Sequence, residues 1–215
     1  MSSPKYLITI VGPTAIGKTA LSIQLAQHFN TEIISCDSRQ FYKEMTIGTA
    51  VPSKDELLAA KHHFIQNRSI IEDYSVGDFE RDALNKLDEL FKVHDIIIMV
   101  GGSGLYVDAV LNGLDYFPEI NPSVREELNK VLEEEGLDYL QNKLKQLDID
   151  TYHQIALDNP HRIIRALEVC IGSGKPYSSF KNKPKAVRKF KSIKVGLNAD
   201  RQVIYDRINR RVDIM

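Results

Sequence analysis

Residues Gly12-Pro13-Thr14-Ala15-Ile16-Gly17-Lys18-Thr19 carry the spacing G-x-x-x-x-G-K-[ST], and no other stretch constrains the fold of this chain as strongly. Its flanks agree with it. Tyr6-Leu7-Ile8-Thr9-Ile10-Val11 reads as a buried strand. Thr19 to Phe29 reads as a helix, with Leu21, Leu25 and Phe29 four apart on one face. A loop leading into a helix N-terminus offers unpaired backbone N–H groups and the positive end of the helix dipole. Gly12 to Thr19 is therefore a phosphate-binding candidate. Lys18 adds a point charge for outer phosphate oxygens, and the Thr19 hydroxyl suits Mg2+. The motif specifies a phosphate without specifying whose.

Further strand signals at Glu32–Ser35 and Asp95–Val100 alternate with helical patterns, the signature of βαβ units and a parallel sheet. Asp78 to Lys92 predicts a helix, with Phe79, Ala83, Leu87 and Leu90 on one side. Gly104 to Leu111 predicts another, ending at Gly113. Near Pro118 the texture becomes helical throughout. Asn121-Pro122 and Asn159-Pro160 look like caps with proline at the first helical position. The second of these opens a helix through Val169 that Gly172 and Gly174 would stop. Lys181 to Lys189 is a basic, proline-containing connector. Ser192 to Leu197 returns to strand texture, and the chain is helical from Arg201 onward. The expected architecture is an α/β fold. It has a P-loop-type parallel sheet flanked by helices, formed by residues 1–117 and 189–215, with a helical insertion at 118–188.

The net charge of −1 conceals an asymmetry. From His161 onward fourteen Lys or Arg face four acids, which leaves residues 1–160 with fourteen bases and twenty-five acids. The parts thus carry +10 and −11, and a basic half points to a polyanionic partner. The longest apolar run, Ile96 to Val100, is too short to span a bilayer, and the N-terminus has no signal-peptide pattern. Cys36 and Cys170 lack metal-ligand spacing and read as reduced thiols of a cytosolic protein. His62-His63 and His153 have no acids at metal spacing and read as structural or surface residues.

A phosphate loop usually works with an acid at the C-terminal end of a neighbouring strand. The strand 95–100 has its acid, Asp95, at the wrong end and finishes in Gly101-Gly102-Ser103-Gly104. Asp37, after the second strand, is in the right place. In an open α/β sheet, Asp37 and the 101–104 loop fall beside the phosphate loop, an arrangement suited to transfer chemistry on a small phosphorylated molecule. A competing role for Asp37 is an Asx turn. Arg207 and Arg211 share a helix face, with Arg210 offset. An arginine returning to the loop would neutralise charge developing on a leaving group, although composition alone favours a solvated face. Arg162 and Arg165, opposite Ile163, Ile164 and Leu167, could grip nucleic-acid phosphates or be ordinary surface residues.

Taken together, these segments resemble the tRNA dimethylallyltransferase family. The matching pieces are Gly12–Thr19, Asp37-Ser38-Arg39-Gln40-Phe41-Tyr42, Met45–Ala50, Tyr74-Ser75 with Asp78-Phe79, Val100–Tyr106, Arg162–Glu168, and Arg207-Ile208 with Arg211 and Met215. They run in family order over essentially the whole chain. The resemblance implies transfer of a five-carbon group from dimethylallyl diphosphate to N6 of an adenosine beside the tRNA anticodon, releasing pyrophosphate. It also implies roles. Asp37 accepts the N6 proton. Thr14, Lys18 and Thr19 bind the diphosphate with Mg2+, supported by Arg211. Asp37, Ser38, Arg39, Gln40 and Ser103 face the target nucleotide. His161, Arg162, Ile163, Ile164 and Arg165 form the stretch that meets the anticodon stem-loop. The family motif usually opens Gln-Arg where this chain has His161-Arg162, and the family continues past Met215 into further helices. A cytoplasmic monomer away from membranes is expected. The rivals are a small-molecule kinase on the same core, a prenyltransferase of free adenylate nucleotides, and a phosphate-gated RNA-binding module.

Overall fold

A computed structural model describes residues 3–181 and 186–214. Part of the 181–189 connector, residues 182–185, lies outside the described residues, as does Met215. The chain divides into two compact units, one of Met1–Leu114 with Lys185–Met215, the other of Asp115–Pro184. The division falls a few residues earlier at both ends than the 118–188 read from the sequence. The chain is already back in the first unit at Ala186, whose N–H donates to the Asn112 carbonyl, and at Arg188, which pairs with Glu80 at 2.6 Å.

The first unit holds β1 (Tyr6–Val11), α1 (Lys18–His28), β2 (Ile33–Ser35), α2 (Lys54–Ala59), β3 (His62–His63), α3 (Val76–Leu90), β4 (Ile96–Val100) and α4 (Gly104–Asn112). Its sheet is parallel throughout, in the order β3-β2-β4-β1-β5, where β5 is Lys191–Gly196. The period of two along each strand sends side chains to two cores. Leu7, Ile34, Ile97 and Met99 pack with α3 and α4, while Ile8, Ile10, Ile33, Ile98 and Val100 pack with α1. Burial on both faces explains why β4 reads as an unbroken apolar run. The short α2 and β3 were not legible in the sequence: each is too brief to show a period. The last helix of this unit, α9 (Arg201–Ile214), buries none of its residues.

The second unit packs α5 (Pro122–Glu135), α6 (Leu137–Leu147), α7 (Ile149–Gln154) and α8 (Pro160–Ser173) around Leu128, Leu140, Leu144, Ile163, Ile164 and Leu167. Asn121 and Asn159 cap their helices as expected, accepting from Ser123 N–H and Arg162 N–H. Two details differ from expectation. The α8 helix runs through Gly172 and stops only at Gly174, which is left-handed at φ 68°. Gly172 is there for close packing, since a Cβ would lie 2.3 Å from Ile120 Cγ2. Buried Asp148 also creates a helix start that no period announced: it accepts from Thr151 and again from Ser178 in the 3-10 turn Tyr177–Phe180. Among the described residues no helix is long and apolar enough to cross a membrane.

Candidate active site

The carboxyl ends of β2, β4 and β1 lie side by side, and the sequence-marked loops leave from those ends. The loop 12–17 is built on backbone that side chains resist. Gly12 sits at φ 151° with the Leu197 carbonyl 2.5 Å from where a Cβ would be, and Ala15 is held at φ 60°. The first N–H of this region to reach a backbone carbonyl is that of Leu21, donating to Gly17. The N–H groups of residues 14–19 donate to no backbone carbonyl among the described residues, which is what a loop entering a helix N-terminus needs in order to receive an anion. Lys18 Nζ folds over the loop and donates to the Gly12 and Pro13 carbonyls at 2.9 and 2.7 Å. Burial, and behind it the Arg211 guanidinium, lowers the Lys18 ammonium below the usual lysine range, while Asp37 pulls the other way.

The arginines of α9 come back to this loop. Arg207 donates to the Ile16 carbonyl at 3.2 Å and Arg211 to the Thr14 hydroxyl at 3.4 Å, from more than 190 residues along the chain. Composition favoured a solvated face. The face is indeed solvated, with Arg207 and Arg210 exposed and Arg211 half-exposed, yet Arg207 and Arg211 still reach the loop.

Asp37 follows β2, on the cradle side of the sheet. Its Oδ1 accepts from the Arg39 N–H at 3.0 Å, so it does form the Asx turn. Its Oδ2 faces the other way, 3.9 Å from where a Cβ on Gly102 would stand. Ser103 ties the two loops together, accepting from Ser38 N–H and donating to Ser38 Oγ. That explains why Ser103 precedes α4 without capping it. Beneath, Gly101 leaves no room for a side chain: a Cβ would be 2.3 Å from the Cys36 carbonyl oxygen. Burial, then the Asp37 charge, pushes the Cys36 thiol up to about 12, which rules it out as a thiolate nucleophile.

Some expected residues stand elsewhere. Gln40 does not turn its amide outward: it donates to the Thr49 and Ala50 carbonyls at 3.1 and 2.9 Å and braces that loop. Ile163 and Ile164, at 0% and 3% exposure, are core residues of the second unit and present nothing to RNA. His161 and Arg162 are exposed on α8, and Arg165 is half-exposed. Asp95 pairs with Lys5 at the opposite end of the sheet. His63 is taken by Glu32 at 2.5 Å, and no cluster of three or more His, Cys, Asp or Glu could hold a metal among the described residues. The basic half also dissolves on folding: residues 115–184 hold nine Lys or Arg against twelve acids, so the second unit is net acidic. Sequence reasoning missed the Ser38–Ser103 tie and the bracing role of Gln40, which join residues far apart in the chain or loops without a period.

A sequence model of the family described as IPP transferase matches residues 40–215. The tRNA dimethylallyltransferase of Flavobacterium johnsoniae is 64% identical, over 98% of this chain and 70% of its own length. That of Christiangramia forsetii is 63% identical with the same coverage. Among solved structures, the tRNA isopentenylpyrophosphate transferase of Bacillus halodurans is 36% identical with a TM-score of 0.63, over 98% of this chain and 65% of that one. A eukaryotic dimethylallyltransferase acting on tRNA is 29% identical with a TM-score of 0.77, over 98% of this chain and 52% of that one.

Proposed function

The chain belongs to the IPP transferase family, and on that premise we propose that it transfers a dimethylallyl group from dimethylallyl diphosphate to N6 of an adenosine next to the anticodon in tRNA. One observation carries the reading. Lys18, Thr14 and Arg211 gather at a strained loop on the same sheet edge as Asp37, whose Oδ2 lies toward Gly102. A cradle of N–H groups and cations receives a leaving group, and a carboxylate beside it receives a proton.

In the step itself, the bond from the allylic carbon to the diphosphate oxygen breaks, and its electron pair leaves with pyrophosphate. Lys18, Arg211 and the loop N–H groups stabilise that growing charge. The N6 lone pair forms the new C–N bond, and the N6 proton passes to Asp37. An adenine amine is a weak nucleophile because its lone pair is delocalised into the ring, so a base beside it matters. A stacked base cannot reach a diphosphate in this loop, so the target nucleotide leaves the stack. The Ser38–Ser103 tie would hold the walls of its pocket. Arg162 and Arg165 would hold the RNA backbone.

The residues present fit Mg2+. The Thr19 hydroxyl has no hydrogen-bond partner among the described residues, and only its carbonyl is engaged, by Ser22. An ion that prefers a few protein oxygens completed by phosphate and water matches that donor set. Bound there, it would add positive charge to the diphosphate.

The test is to incubate the protein with labelled dimethylallyl diphosphate and either tRNA or AMP, with ATP in a parallel tube. Label entering tRNA is the expected result. Label entering AMP alone, or ATP turnover without prenyl transfer, would overturn the reading.

A further inference from the structure

Glu168 is a buried acid at the centre of the second unit's charged surface. Its side chain is 8% exposed, yet the two arginines it holds are 47% and 41% exposed. Oε1 accepts from Arg125 Nε at 3.3 Å. Oε2 accepts from Arg125 Nη2 at 2.8 Å and from Arg165 Nη1 at 2.9 Å. Burial alone would raise this carboxyl, but the hydrogen bonds from Arg125 and Arg165 outweigh it and hold it below the usual carboxylate range.

The balance of charge is uneven: two guanidiniums share one carboxylate and leave a local excess of one positive charge. Each guanidinium has five N–H donors. Arg125 gives two of them to Glu168 and Arg165 gives one. The remaining donors stand on half-exposed groups whose orientation is already set. Ordering a long side chain costs entropy on binding, and a carboxylate that orders two of them beforehand removes that cost. The neighbourhood continues the pattern. Arg165 lies 5.6 Å over the Phe117 ring, Phe117 stacks on Tyr177 at 4.7 Å, and Lys181 lies 4.8 Å over Tyr177. Arg162, three residues before Arg165, is on the same side of α8 and exposed. Glu126 and Glu127, one and two positions past Arg125, are exposed and do not share its face of α5. Asp115 lies close enough to Tyr177 to act on it, but Arg125, Arg162, Arg165 and Lys181 against Glu168 and Asp115 still leave this side of a net-acidic unit locally cationic. Oriented guanidiniums with spare donors suit phosphate oxygens.

We infer that Arg125, held alongside Arg165 by the buried Glu168, is a further RNA-phosphate contact, with Glu168 as the positioning residue for both. The inference rests on the proposed RNA substrate. Arg125 carries no motif and lies 37 residues before Arg162 in the sequence, so nothing local marks it.

The experiment measures tRNA affinity against salt concentration separately from prenyl transfer, in the protein and in Arg125→Ala, Arg125→Lys and Glu168→Gln. Arg125→Ala is expected to weaken tRNA binding by about 3- to 10-fold and to reduce the salt slope by about 1. Arg125→Lys keeps the charge and should keep the slope. Glu168→Gln should raise KM for tRNA while leaving kcat and KM for dimethylallyl diphosphate in place. An unchanged slope in Arg125→Ala, with prenyl transfer intact, overturns the inference and leaves the proposed reaction standing. A lowered slope in a protein that transfers no prenyl group supports the inference and removes the reaction. If Glu168→Gln lowers only the melting temperature, its positioning role is gone.

Discussion

The phosphate loop and the arginine face of α8 both gather positive charge, by opposite means. At the loop, backbone does the work: Ala15 is held at φ 60°, Gly12 has no space for a Cβ, and Lys18 bends onto its own carbonyls. On α8 and α5 the helices are regular and side chains do the work, through one buried carboxylate that orders two arginines. A backbone cradle cannot re-form around a lost group, so its variants should lose rate. An ordered side-chain fork tolerates loss at the expense of affinity and salt dependence. The division is testable: loop variants should change kcat and spare tRNA binding, and arginine variants the reverse.

Lys18→Ala should have the largest effect, a fall in turnover of about 10²- to 10³-fold, the scale of removing one charge-stabilising donor. A parallel loss of tRNA affinity would break the division. Asp37→Ala should lower turnover by roughly 10²-fold or more, as expected for a lost general base. Near-normal turnover would return Asp37 to its Asx turn alone. Arg162→Ala combined with Arg165→Ala should weaken tRNA binding by about 10-fold and lower the salt slope by about 2, read by titration at several salt concentrations. A kcat loss without a slope change would erase the contrast from the other side.

Two smaller effects sharpen it through stability. Gly101→Ala must push against the Cys36 carbonyl and should cost about 1–3 kcal/mol, seen as a drop of several degrees in melting temperature. No drop would mean that the two loops separate easily. Acid should loosen the second unit through Glu168 and Asp148, whose carboxyls are held below their usual range by hydrogen bonds that outweigh burial. A carboxyl depressed in the folded state contributes stability above its unfolded pKa, and that stability is lost as pH falls through the folded value. Melting temperature should therefore fall below about pH 4, less steeply in Glu168→Gln than in the parent protein. Identical slopes in the two proteins would exclude Glu168 from that loss.

Much of this was legible along the chain. The strands β1, β2, β4 and β5 and the helices α1, α3, α4, α5, α8 and α9 announced themselves by period, caps and texture, because those signals are local. What was misread depends on partners distant in sequence. Gly172 looked like a stop and is a packing contact with Ile120. The resemblance gave Gln40 a place at the nucleotide, and the bracing of the 49–50 backbone by its amide was not foreseen. The basic half looked like one surface and belongs to two units. Arg125 looked like nothing at all.

The order strand, glycine loop, lysine, helix already marked a candidate phosphate loop at a sheet edge, since the geometry of that loop is a property of neighbouring residues. That Arg207 and Arg211 reach the loop, that Asp37 stands near enough for its charge to act on Lys18, and that Glu168 joins Arg125 to Arg165 came only from the fold. Coulombic and hydrogen-bonding partners are chosen by distance in space, and a parallel sheet places chain ends together that the sequence keeps far apart.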